Sequence, residues 1–298
     1  MAGANRSVGG EAYEELDELY DVWCAEVTED VPFYVQLAGA LAREADTRAL
    51  RILELGAGSG RITVPLAAAG HEVVALDAAP AQLARLAMHA DAAGAAVAAR
   101  ITTVCGDMRR LEALVDARGQ AQPFDLVLAP FRCLLHVTPE REAVFTQVAR
   151  LLRAEGVFAF DVFHPTAEQV AATHDRWLPR SEVPTTSGRW KFAERATYRP
   201  DAAAEPGGLA LDVDVRCRWR AARLRGTTRD ALADPTPGSA HARETTLQLQ
   251  LIPAERWEQA LLRSGFAIDG AYAWFDARPL EPDADDSVWV ARRPALPA

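Results

Sequence analysis

The most constraining stretch of this chain is Ile52-Leu53-Glu54-Leu55-Gly56-Ala57-Gly58-Ser59-Gly60-Arg61. A short apolar run ends in three glycines at alternate positions, which reads as a buried strand, a tight turn and the start of a helix. Glycine in such a turn adopts backbone angles closed to other residues and lets a ligand approach the main chain. Apolar runs keep alternating with amphipathic stretches beyond it. The pattern predicts strands over 50–55, 72–77, 101–105, 124–129 and 156–162, with helices over 60–69, 80–93, 108–117 and 140–153. Right-handed crossovers between parallel strands produce that order, so the expected fold is α/β, a doubly wound and mostly parallel sheet.

The flanks follow other periods. Tyr13, Leu16, Tyr20 and Trp23 recur at helical spacing within 11–28, and a second helix is expected from about Pro32. After Pro165 the period becomes two: Leu209, Leu211, Val213, Val215, Cys217 and Trp219 alternate with Asp212, Asp214, Arg216 and Arg218. Trp190, Phe192 and Tyr198 mark a similar strand before this one, and Leu247, Leu249 and Leu251 another after it, which together predict an antiparallel flap. Residues 222–242, rich in Gly, Pro, Thr and Asp, read as a long mobile connection. A helix over 254–264 and strands over 266–275 and 286–292 then return to the main sheet and bring it to seven strands.

Composition narrows the partners. Against 42 acidic residues stand 32 basic ones, and the formal charge of −10 argues against nucleic acid or an anionic membrane surface. The four cysteines form no C-x-x-C pair and the six histidines show no metal-ligand spacing, so no metal is expected. Residues 1–10 lack an apolar core and no run approaches the ~20 apolar residues that span a bilayer, so a cytoplasmic location is expected.

The glycine turn departs from the G-x-G-x-x-G dinucleotide fingerprint, because Arg61 stands at the sixth position. Glu54 would repel a bound pyrophosphate and favour a ligand bearing an ammonium group. At this point E-L-G-A-G-S-G resembles motif I of the class I S-adenosylmethionine-dependent methyltransferases, of the type that acts on small natural-product amines. Asp77 ends the second strand where the resemblance places an acid on the adenosine ribose, although dinucleotide enzymes place one there too. Gly106-Asp107-Met108 looks like the segment whose acid meets the adenine amino group. Phe124-Asp125-Leu126-Val127-Leu128-Ala129-Pro130-Phe131, followed by His136, is similar to the segment that faces the reaction cavity in small-molecule methyltransferases.

The resemblance implies S-adenosyl-L-methionine as cofactor, with S-adenosyl-L-homocysteine as product. It implies a donor site of Tyr20, Glu54, Gly56, Ala57, Gly58, Arg61, Asp77, Ala78, Gly106, Asp107, Met108, Ala129 and Phe131. Acceptor contacts would come from Tyr13, Phe131, His136, His164 and Trp190, with His136 and Tyr20 as the catalytic pair. Each has a plainer reading: Tyr13 and Tyr20 as a packed helix stripe, His136 as a histidine beneath a helix, His164 as a solvated loop residue. Residues 1–45 would form a helical lid, 46–165 and 253–298 the donor-binding core, and 166–252 an acceptor cap. Methyl transfer is an in-line displacement that needs alignment and exclusion of water more than catalytic groups. The expected activity is N-methylation of a small natural-product amine or amino sugar by a homodimer, with O-methylation as the alternative. A nicotinamide oxidoreductase or a non-catalytic adenosyl-binding module is more remote. Residues 11–30 hold nine acids and no base, either a field that draws a cationic acceptor or a solvated face.

Overall fold

Strand pairing decides where a ligand of this chain can sit. The computed structural model describes residues 10–16, 18–24, 28–114, 122–184, 188–200, 207–221, 242–281 and 284–295. It opens with α1 (Gly10–Leu16), α2 (Glu18–Cys24) and α3 (Asp30–Glu44). The core follows as β1 (Arg51–Leu55), α4 (Thr63–Ala68), β2 (Glu72–Asp77), α5 (Pro80–Ala93), α6 (Ala95–Ala98), β3 (Ile101–Cys105), β4 (Phe124–Ala129), α7 (Arg141–Leu151) and β5 (Leu152–Phe163). Next come α8 (Ala167–Thr173), β6 (Trp177–Pro184), β7 (Gly188–Pro200), β8 (Leu209–Ala221) and β9 (Ala242–Leu251). The chain closes with α9 (Ala254–Arg263), β10 (Ala267–Tyr272) and β11 (Asp286–Arg292).

Seven strands form one sheet in the order β10-β11-β5-β4-β1-β2-β3, and β6-β7-β8-β9 form a second, four-stranded sheet. Strands β1 to β5 pair in parallel, while β11 runs antiparallel between β5 and β10. The doubly wound sheet read from the sequence is therefore present. Its strand order reverses beside β1, which opens a crevice beyond the carboxyl ends of β1 and β4.

Alternation along the strands fills both faces of the sheet. Leu53, Phe158 and Phe160 pack with Phe145 of α7 and Trp257 of α9 on one side. Ile52, Val157 and Ala159 pack with Tyr34 and Ala38 of α3 and Leu66 of α4 on the other. Each fully buried side chain of this size contributes about 1.5–3 kcal/mol.

The second sheet carries the expected period of two. Phe192, Val215, Cys217 and Leu247 face Leu16 and Leu19 of the N-terminal helices, whereas Arg195 pairs with Asp214 and Arg216 with Glu244 on the other side. Leu211, lower on β8, joins the main core, so the flap is rooted at one end and roofed by α1 and α2 at the other.

One expectation changes, and two others fall partly outside the described residues. In place of a helix over 108–117 there is a 3-10 turn, Leu111–Leu114, with residues 115–121 outside the described part. Tertiary bonds take the backbone groups a helix would use: Leu111 N–H donates to Gln147 Oε1 and Gln147 Nε2 donates to the Arg109 carbonyl, each at 2.9 Å. The single helix over 11–28 is described as two stretches, α1 and α2, with residues 17 and 25–27 outside the described part. The connection over 222–242 lies outside the described residues except for Ala242, which begins β9. Among the described residues no helix is long and apolar enough to cross a membrane.

Candidate active site

The glycine turn is held by its neighbouring strand. Gly56 and Ala57 N–H both donate to the Leu76 carbonyl, at 2.8 and 3.0 Å, which draws the turn over the end of β2. Gly56 has φ +70°, and a Cβ there would lie 2.9 Å from Cys133 Cβ. Gly58, at φ +55°, faces the Tyr20 ring, whose Cε1 would stand 3.6 Å from an added Cβ. At Gly56 the approach leaves no room for a Cβ, while at Gly58 the left-handed backbone angle alone favours glycine.

Asp77 closes the turn from below. Its Oδ2 accepts from Gly58 N–H at 2.7 Å and its Oδ1 from Ala79 N–H at 2.8 Å. Burial raises its pKa, and the backbone hydrogen bonds from Ala79 and Gly58 oppose that shift. At the end of β3, burial likewise acts to raise Asp107, but the hydrogen bonds and charge of Arg109 outweigh it and hold the carboxyl below its ordinary range. The Arg109 guanidinium grips both oxygens of Asp107.

Around these acids lies a cavity lined by Tyr13, Tyr20, Gly56, Gly58, Asp77, Ala78, Gly106, Asp107, Met108, Phe131 and His136. Eleven residues expected at a donor or acceptor site thus line one cavity. Leu76, Gln82, Pro130, Cys133 and Val137 complete it. Gln82 sits in the first turn of α5 and donates to the Tyr13 carbonyl at 3.1 Å, while its buried Oε1 has no hydrogen-bond partner. Only the flanking Pro80 and Leu83 signal that a helix start lies there, and nothing in the sequence marks Gln82 itself. Cys133 is named by nothing in its type; it matters because Gly56 lies against it.

The opposite wall is aromatic. The Tyr13 hydroxyl lies 2.8 Å from His136 Nε2, and the Tyr13 ring meets the Tyr20 and His136 rings edge to face. Burial pushes the Tyr13 and Tyr20 phenols well up, so both stay protonated. It pushes His136 down to about 4, against the pull of the Gln248 backbone, and the imidazole is neutral near pH 7. His136 Nδ1 is buried with no partner of good geometry.

Six expected residues do not line this cavity. Glu54 alternates to the α4 side of β1, where it is buried, accepts from Thr63 Oγ1 at 2.6 Å and is raised to about 8 by burial. Ala57 and Ala129 are buried in the packing of the sheet. Arg61 turns away to pair with Asp30 at 2.6 and 2.7 Å. His164 lines a separate cavity and Nε2 donates to the Gly207 carbonyl at 3.0 Å, because β5 carries it past the end of β4. Trp190 pairs with Trp219 across β7 and β8 and joins the cluster under the N-terminal helices. The acidic stretch is also partly neutralised: Asp21 accepts from Ser59 and Arg85, and Asp30 is buried against Arg61.

The wall fits an adenosyl donor. Two carboxylates at successive strand ends and the unpartnered Gln82 oxygen offer acceptors for hydroxyl and amino groups, and Leu76, Met108 and Val137 offer apolar surface for a base. The cavity encloses about 90 Å³, below the roughly 300–1,000 Å³ usual for ligand pockets.

Comparison with known proteins agrees. Residues 52–156 match the family described as a methyltransferase domain. The chain is 29% identical over 188 residues to a ubiquinone biosynthesis O-methyltransferase of Azorhizobium caulinodans, covering 59% of this chain and 67% of that protein. It is 32% identical over 155 residues to the protein of the same name from a Ruegeria species, covering 49% and 58%. Among solved structures it is similar to the CcbJ methyltransferase of Streptomyces caelestis, with TM-score 0.70, 21% identity and 95% and 98% of the two chains covered. It is also similar to the sugar N-methyltransferase KedS8 of a Streptoalloteichus species, with TM-score 0.63, 18% identity and 99% of each chain covered. The matched domain, the relatives and the likeness in fold together support an S-adenosylmethionine-dependent methyltransferase, and the nicotinamide and binding-module readings are set aside.

Proposed function

We propose that this methyltransferase acts on a nitrogen of a small natural-product amine or amino sugar. One observation carries the reading: among the described residues, the aromatic end of the cavity holds no strong base. His136 is held near 4 and the two tyrosines are protonated. An ammonium acceptor can lose its proton to solvent before it binds and then presents a lone pair that needs no base in the site, whereas an alcohol, a far weaker acid, must be deprotonated in the site to become a comparable nucleophile. The wall suits the former. Likeness in fold to a sugar N-methyltransferase supports it, while the names of the sequence relatives favour an O-methyl acceptor as the second reading.

In this proposal Asp77 accepts from the ribose hydroxyls, Asp107 from the adenine amino group, and the Gly56–Gly58 turn lets the main chain approach the donor. S-adenosylmethionine supplies, when bound, an electrophilic methyl group on a sulfonium. Tyr13, Tyr20 and Phe131 exclude water from the reacting end and present ring faces that favour positive charge. His136, neutral and linked to Tyr13, orients the acceptor rather than taking its proton. Helices α1 and α2 act as a lid, since a cavity of about 90 Å³ must widen to admit a nucleoside.

The test is a panel of amino sugars, aliphatic amines, phenols and sugar alcohols incubated with the purified chain and S-adenosylmethionine. The methylated atom is located by fragmentation mass spectrometry. Methyl groups on nitrogen are expected; turnover confined to phenols or alcohols would move the assignment to oxygen.

A further inference from the structure

The turn after β4 contains two consecutive non-glycine residues with left-handed backbone, Phe131 at φ +57° and Arg132 at φ +60°. L-residues avoid that region, so something in the surroundings must hold both there. Their two amide N–H groups are taken up by one carboxylate. Phe131 N–H donates to Asp161 Oδ1 at 2.8 Å and Arg132 N–H to Oδ2 at 3.0 Å. The Tyr34 hydroxyl donates to Oδ1 at 2.7 Å. Successive amides that converge in this way form a cradle for an anion, and here the anion belongs to the protein.

The placement follows from register. Ala129 of β4 pairs with Phe160 of β5, so Asp161 stands where β4 gives way to the turn. Along β5, Val157 and Ala159 face α3, and Asp161 is the next residue on that side; Phe158, Phe160 and Val162 face the other layer. Asp161 is 6% exposed and Tyr34 fully buried. A carboxylate in such a layer is costly unless its oxygens are satisfied, and these three bonds satisfy them.

The turn in question carries a wall of the donor cavity. Phe131 lines it, and the Arg61 guanidinium lies 4.6 Å from the centre of the Phe131 ring. Arg61 is itself gripped by Asp30, which stands four residues before Tyr34 on α3. Helix α3 thus reaches Phe131 twice, through Asp30 and Arg61 to the ring and through Tyr34 and Asp161 to its backbone.

We propose that Asp161 is a positioning residue for methyl transfer, fixing the left-handed turn that aims the Phe131 ring into the donor cavity. The proposal rests on the methyl-donor reading of that cavity. Asp161→Asn keeps the shape but turns one acceptor into a donor, which cannot serve both amides. Calorimetry with S-adenosylhomocysteine is expected to show about tenfold weaker binding for Asp161→Asn, because the ligand must then order a turn that the carboxylate holds in the wild type. In a Phe131→Ala background the same substitution should weaken binding by less than about twofold, because the group it acts through is gone. Equal weakening in both backgrounds, or none in either, overturns the proposal.

A second readout needs no ligand. Para-fluorophenylalanine placed at position 131 should give a fluorine NMR resonance that shifts and broadens with Asp161→Asn, and an unchanged resonance also overturns the proposal. Tyr34→Phe removes a single bond to the carboxylate and is expected to move both readouts in the same direction by a smaller amount, which keeps the test open if Asp161→Asn does not fold. Wild-type protein that fails to bind S-adenosylhomocysteine would sink the donor reading, and the resonance would still report whether Asp161 positions the ring.

Discussion

The two walls of the cavity are built by different means. The donor wall is made of strand ends: Gly56, Gly58, Asp77 and Asp107 lie within a few residues of β1, β2 and β3, and main-chain hydrogen bonds to Leu76 and Asp77 lock them. The facing wall is made of side chains brought from far apart, since Tyr13 and His136 are 123 positions apart and the helix carrying Tyr13 rests on the flap. The first wall is rigid because the sheet is rigid. The second can be rearranged without disturbing a strand, which under the proposed function would separate acceptor choice from donor binding.

The largest effect expected of that division is at Asp77. Asp77→Ala should weaken S-adenosylhomocysteine binding tenfold or more by calorimetry, because hydrogen bonds to an ionised acceptor are worth about 1.5–3 kcal/mol each. Equal weakening by a substitution in the flap would break the comparison. On the other wall, His136→Ala should lower kcat about tenfold with donor affinity nearly unchanged, and His136→Asn should recover part of the loss if the ring orients the acceptor. A matching loss of donor affinity would merge the two walls into one unit.

The smallest effect is a dependence on pH behind the donor wall. The folded pKa of Glu54, about 8, exceeds the ordinary carboxyl value of 4.5, so the folded state holds the extra proton between them. Its favourable contribution is complete below about 4.5 and is lost as pH rises through about 8. Glu54→Gln mimics the protonated form, so the Tm of the variant relative to wild type should rise by a few degrees between pH 5 and pH 9. A constant difference in Tm would show that Glu54 does not titrate in this range.

The sequence made the donor wall legible because its determinants are consecutive. A strand, a glycine turn and an acid at the next strand end declare themselves within thirty residues. The facing wall was read less evenly. Tyr13 and His136 were found by type and segment, but nothing in their spacing shows that they touch. Trp190 was expected near the acceptor from its place on a flap strand, yet the β7–β8 register sets it against Trp219 and the N-terminal helices. Asp161 left one signal: an acid at the third step of the alternation Val157, Ala159, Asp161, where packing alone would ask for an apolar side chain.

Leu16 and Leu19, on the helices that roof the cavity, are seated on Phe192, Val215, Cys217 and Leu247 of the flap. Lifting those helices bares apolar surface to water, and exposure of such surface raises heat capacity. Donor exchange through this roof should therefore follow a curved rather than a linear Arrhenius plot, with the activation enthalpy of opening growing as temperature rises.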